Sequence, residues 1–164
     1  MKIEVILLIL FISLFYGCVN DTEETILYLV RHAEKDTTDK TDNPQLTAEG
    51  EERALKLAEI MQKEDIKAIY STKYDRNMKT VQPTATLFDL PIKNYEWYDW
   101  EETVDKIRKQ KGTFLLCGHG DNLLPIIEFL NGETPFSKIG HNEYHNIFKV
   151  MIVADTAYVD MIKF

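Results

Sequence analysis

The fold turns on one stretch, Ile26-Leu27-Tyr28-Leu29-Val30-Arg31-His32. Five consecutive apolar residues without alternation predict a strand covered on both faces, the kind found in parallel sheets flanked by helices. Working outward, Leu46-Thr47-Ala48-Glu49-Gly50 opens a helix. Thr47 is its N-cap, and Glu49, Glu51 and Glu52 fall in the first turn, where the helix dipole favours acids. Ala54, Leu55, Leu57, Ala58, Ile60 and Met61 form its apolar face. Ile66 to Tyr70 reads as a second strand. A helix from about Tyr74 to Phe88 follows, expected to bend at Pro83. Pro91 to Glu96 reads as a short third strand, and Asp99 as the N-cap of a helix reaching about Lys109. Thr113 to Cys117 is another buried strand and Asn122 to Leu130 another helix. Tyr144 to Val153 and Ala157 to Phe164 read as a hairpin turning at Asp155-Thr156. The expected class is therefore α/β. It is a three-layer sandwich, with a mostly parallel mixed sheet, helices on both faces and a C-terminal β-hairpin.

A length of 164 residues fits one domain, and 27 acidic against 19 basic side chains leave a net charge of -8. Such a chain carries no electrostatic footprint for nucleic acid or anionic lipid. Two cysteines exclude a disulfide framework. Cys117, inside an apolar run, reads as a small core residue.

The start of the chain differs from the rest. From Val5 to Tyr16 only Ser13 is polar. This run is too short to span a bilayer comfortably and suits the h-region of a signal peptide. Gly17-Cys18 at its end resembles a bacterial lipoprotein signal, in which the Cys is lipidated and becomes the new N-terminus. An uncleaved N-terminal anchor is the alternative. Residues 1–17 are thus expected as a leader, Cys18 as the lipidation site, residues 18–25 as a polar tether and residues 26–164 as the domain. On this reading the protein sits outside the cytoplasm, held to a bacterial membrane through its N-terminal lipid or anchor only.

In open α/β sheets, ligands bind at the carboxyl ends of the parallel strands. After the first strand come Arg31 and His32. After the second come Ser71 and Thr72, with Arg76 close behind. After the fourth comes Gly118-His119-Gly120-Asp121-Asn122, opening a helix. Two guanidiniums, two imidazoles and a helix N-terminus suit a tetrahedral dianion such as phosphate. A neutral imidazole can then serve as the nucleophile. The arginines can supply the charge that a metal ion gives other phosphoryl-transfer enzymes, so neither metal nor cofactor is expected. His141 and His145 have a zinc-like spacing but lack a second ligand pair.

These residues resemble the histidine phosphatase superfamily, the phosphoglycerate-mutase-like fold. The likeness lies in Leu29-Val30-Arg31-His32-Ala33-Glu34-Lys35, Leu46-Thr47-Ala48-Glu49-Gly50, Tyr70-Ser71-Thr72-Lys73-Tyr74-Asp75-Arg76 with Thr80, and Gly118-His119. Ala33 replaces the usual Gly of the first motif, and Gly120-Asp121 stands where Ser is usual. The resemblance implies that His32 becomes phosphohistidine, that Arg31 and Arg76 hold the phosphate, and that His119 hydrogen-bonds the phosphoryl group. It also implies a carboxylic acid beyond the third strand. Glu96 is the first candidate for that general acid and Asp99 the second, and a buried acid beside Trp97 and Tyr98 would have the raised pKa the role requires. Glu34 is expected to orient Arg31, and Ser71 and Asn122 to contribute to substrate binding.

The expected activity is a metal-independent phosphomonoester hydrolase acting on a small phosphorylated substrate. Only 42 residues separate Arg76 from His119, too few for the long insertions that close over a mutase substrate. The alternatives are a protein phosphohistidine phosphatase and a catalytically weak, phosphate-ligand-binding lipoprotein of the same fold.

Overall fold

The computed structural model describes residues 24–164. The leader, Cys18 and most of the tether lie outside the described residues. The first strand starts one residue earlier than expected, because Thr25 is fully buried at its head and its hydroxyl donates to the Gln110 carbonyl.

The elements run β1 (Thr25–Arg31), α1 (Ala48–Met61), β2 (Ile66–Ser71), α2 (Asp75–Phe88), β3 (Ile92–Asn94), α3 (Glu101–Arg108), β4 (Gly112–Gly118), α4 (Leu123–Asn131), β5 (Asn146–Val153) and β6 (Thr156–Lys163). The six strands form one sheet in the order β3-β2-β4-β1-β5-β6. β1, β2, β3 and β4 pair in parallel, and β5 pairs antiparallel with both β1 and β6.

β1 shows why the opening run reads as it does. Its alternate side chains feed two separate cores. Leu27 and Leu29 pack on one face with Val104 and Ile107 of α3 and Leu123, Ile126 and Ile127 of α4. Tyr28 and Val30 pack on the other with Leu57 and Met61 of α1 and Val81 and Ala85 of α2. A strand with a core on each side has no polar face, hence the unbroken apolar run. Cys117 belongs to the second core, fully buried, and burial pushes its thiol up to about 12.

Several boundaries depart from the expectation. Thr47 does cap α1, its Oγ1 accepting from the Gly50 amide. Asp99 does not cap α3: Trp100 holds the N-cap position without a side-chain bond, and Asp99 forms an isolated bridge with Glu96. α2 runs through Pro83 to Phe88, the end expected of it. The hairpin turns at Ala154-Asp155, with Ala154 in the left-handed region at φ 53°. No helix among the described residues is long and apolar enough to cross a membrane.

Candidate active site

β1, β2 and β4 end side by side, and each delivers one segment to the same edge of the sheet. Arg31 stands opposite Gly118 in the β1–β4 register. The His32 amide donates to the Gly118 carbonyl at 3.0 Å, one residue beyond the paired strands. Asn77 Nδ2 donates to that same carbonyl at 2.9 Å and so ties α2 to β4. Thr80 links the first motif to the second: its Oγ1 accepts from the Ala33 amide at 2.9 Å and donates to the Arg76 carbonyl at 2.6 Å. The His119 amide donates to Asn122 Oδ1 at 2.8 Å. Gly118 has to be glycine, because a Cβ there would lie 2.5 Å from Asn122 Oδ1 and 3.1 Å from the Tyr95 hydroxyl. The long loop after β1 folds back over α2. Asn43 Oδ1 accepts from the Asp75 amide at 2.9 Å and serves the helix end as a cap.

The result is a cleft of about 550 Å³ whose walls include Arg31, His32, Arg76, His119 and Asp121. The two imidazole rings stand 5.6 Å apart, centre to centre. Each arginine lies over a tyrosine ring, Arg31 over Tyr144 at 4.4 Å and Arg76 over Tyr74 at 4.3 Å. Such contacts hold a guanidinium in place without consuming its hydrogen-bond donors. Arg31 and Arg76 each keep a buried Nε with no partner. Arg76 is only 8% exposed, so a cation and free donors are held in a largely desolvated position.

Both histidines are neutral at pH 7. Burial pushes His32 down to about 3, with Arg31, His119 and Arg76 adding to the effect and the hydrogen bond to the Ala33 carbonyl opposing it. Burial pushes His119 down to about 4, and Arg76 is the next cause. His32 Nδ1 lies 2.8 Å from the Ala33 carbonyl. A carbonyl only accepts, so this contact places the proton on Nδ1 and leaves the Nε2 lone pair free. His119 Nε2 is held by Thr72 Oγ1 at 3.1 Å.

Other expected site residues are placed elsewhere. Glu34 does not orient Arg31: it pairs with Arg53, whose Nη2 lies 2.6 Å from Oε1 and whose Nε reaches both carboxylate oxygens. Ser71 is fully buried and donates to the Thr72 carbonyl. Asn122 is also buried, with Oδ1 on the His119 amide and Nδ2 on the Trp97 carbonyl, so it shapes the β4–α4 turn. Glu96 is not a buried acid. It is 43% exposed and sits 2.6 Å from Lys73 Nζ, because β3 is a three-residue edge strand and its end faces solvent. The acidic side chain lining both the cleft and the adjoining space beside Tyr74 and Trp97 is Asp121. Tyr144 and Asn77 had no signal in the sequence, and Tyr74 stood there only as part of the second motif. Their roles come from where distant segments meet.

An α/β sheet that gathers two arginines and two neutral histidines at its parallel strand ends defines a phosphate-handling protein. The model of the histidine phosphatase superfamily (branch 1) matches residues 27–102. Solved structures of the same fold extend the likeness over most of the chain. The protein histidine phosphatase SixA complexed with tungstate is 14% identical, with 84% of this chain and 96% of that one covered at a TM-score of 0.69. A phosphoglycerate mutase from Bacillus anthracis is 15% identical, with 87% and 95% covered at 0.70. A mycobacterial glucosyl-3-phosphoglycerate phosphatase is 11% identical, with 85% and 99% covered at 0.65. No protein of curated function matches the chain by sequence. Over residues 27–102 the chain matches the histidine phosphatase superfamily, and the solved structures share its fold over most of the length.

Proposed function

We propose that this protein hydrolyses small phosphomonoesters through a phosphohistidine on His32, in a metal-independent reaction outside the cytoplasm. The observation that carries the reading is the pair of neutral imidazoles 5.6 Å apart in a cleft walled by Arg31 and Arg76. A phosphoryl group between the rings meets a free Nε2 on one side and cationic donors around it.

His32 Nε2 attacks phosphorus, the bond from phosphorus to the ester oxygen breaks, and the alkoxide takes up a proton. Arg31, Arg76 and His119 hold the phosphoryl oxygens as charge spreads over them. Water then attacks phosphorus, the phosphorus–nitrogen bond breaks, one proton is released and inorganic phosphate leaves neutral His32 behind. With Glu96 tied to Lys73 at the surface, Asp121 is the carboxyl group placed to protonate the leaving oxygen.

The location rests on the sequence of residues 1–18: an apolar h-region closed by Gly17-Cys18 fits a lipid-anchored leader. Hydrolysis of p-nitrophenyl phosphate by residues 21–164 tests the activity. Turnover is expected in the parent and absent in His32→Ala. No turnover in the parent between pH 5 and pH 8 overturns the hydrolase reading. Mass spectrometry of membrane-extracted protein tests the anchor, since an intact Met1 excludes processing at Cys18.

A further inference from the structure

The sheet ends on one side in β3, three residues long, and on the other in β6, eight residues long. β6 pairs with β5 from Thr156 to Lys163 without a register shift, and it contains no proline. The bond from the Phe164 amide to the His145 carbonyl continues this ladder at 3.0 Å. In an antiparallel ladder, residues bonded to the neighbour alternate with residues whose amides and carbonyls point the other way. Phe164 is bonded to the β5 side, and so by twos are Ile162, Asp160, Tyr158 and Thr156. Ala157, Val159, Met161 and Lys163 therefore turn their backbone groups outward, along an edge that no other described strand pairs with.

Natural sheets blunt such an edge with a bulge, a proline or an inward charge. β6 instead exposes Tyr158, Met161 and Ile162. Ala157 and Val159 pack on the core that α4 shares, so Tyr158, Asp160 and Ile162 lie on the opposite face. Asp155 and Lys163 stand at the two ends of the strand. Both are exposed, and neither forms an ion pair among the described residues.

We infer that β6 pairs antiparallel with β6 of a second copy of this chain, about a two-fold axis at Val159. A two-fold axis normal to the sheet keeps its faces aligned, so only registers that step by two residues let the outward groups meet. With Val159 opposite itself, Ala157 faces Met161, and Asp155 faces Lys163 at both ends. Opposite charges thus meet twice. With Asp160 on the axis instead, two carboxylates would lie directly opposite each other, which destabilises a strand pair. With Tyr158 on the axis, Lys163 would face Val153 and lose its partner charge. The pairing uses the long edge of each copy and leaves only the short β3 edges outside, so the assembly closes at two copies. β5 separates β6 from the strands that end at the cleft, so the pairing stands independently of the hydrolase reading.

Residues 24–164 hold both cores and all six strands, so residues 21–164 are the unit tested. Sedimentation velocity between about 1 μM and about 1 mM should show monomer giving way to dimer, since one strand pair is a small interface and binds weakly. Met161→Pro removes an outward amide, at a position where an edge strand accepts proline. It should stay monomeric over the whole range with an unchanged far-UV circular dichroism spectrum. Lys163→Asp sets Asp155 against a second carboxylate and should raise the dimer Kd by about tenfold at low salt. Adding Asp155→Lys to Lys163→Asp exchanges the two charges and should restore the parent Kd. A parent that stays monomeric throughout overturns the pairing and leaves the edge to a partner of another sequence. Assemblies larger than two copies, dimers that persist in a folded Met161→Pro, and an exchange variant that dimerises no better than Lys163→Asp alone each overturn it as well.

Discussion

Acidifying from pH 7 to pH 5 destabilises this fold through two side chains, His32 and His119. In the unfolded chain each imidazole takes up its proton near 6.5, whereas in the fold burial holds them at about 3 and about 4. Between those values the unfolded state binds more protons than the native one, so the free energy of unfolding rises with pH and is lost as pH falls through 6.5. At pH 5 each histidine contributes about 2 kcal/mol of this loss, about 4 kcal/mol together. That is a large share of a typical domain stability of about 5–15 kcal/mol. Urea unfolding of residues 21–164 at both pH values measures it. The variant with His32→Gln and His119→Gln keeps polar groups in both places and removes both titrations. It should lose most of the pH dependence in this window and, at pH 5, be more stable than the parent. Equal pH dependence in parent and variant would refute the assignment of neutral, desolvated imidazoles, and with it the free Nε2 on which the nucleophile role depends.

Three further outcomes follow from the geometry. Gly118→Ala pushes a Cβ against Asn122 Oδ1, Leu123 and the Tyr95 hydroxyl, so it should cost about 1–3 kcal/mol in denaturant titration and lower turnover by displacing His119. Asp121→Asn should slow hydrolysis of an alkyl phosphate by about a hundredfold or more and barely change that of p-nitrophenyl phosphate, whose leaving group needs no proton. Equal losses on both would remove Asp121 as the acid. Glu34→Gln should lower stability by about 1–2 kcal/mol, because the half-buried Arg53 guanidinium loses its carboxylate. KM for p-nitrophenyl phosphate should stay unchanged, whereas a raised KM would return Glu34 to the orientation of Arg31.

Much of the architecture could be read from patterns that are local. The unbroken apolar runs at Ile26 to Val30 and Thr113 to Cys117 follow from strands buried on two faces, and Thr47 followed by acids marks a helix start. The arginines and histidines were legible too, because parallel strands bring their carboxyl ends to one edge. Lone acids were not. Glu96, Asp99 and Glu34 look alike in sequence, and their roles depend on which cation reaches them first. Lys73 takes Glu96 and Arg53 takes Glu34.

By itself, then, the sequence determined the layers, the strand order's parallel character and the four groups that meet in one cleft. All of these are consequences of hydrophobic period and strand-end position. Only the tertiary structure decided the environment of each charge. Burial depresses His32 and His119, Tyr144 and Tyr74 support the guanidiniums, and Arg31 donates to the His141 carbonyl. Desolvation and pairing depend on distances between segments far apart in the chain, and no local pattern encodes them.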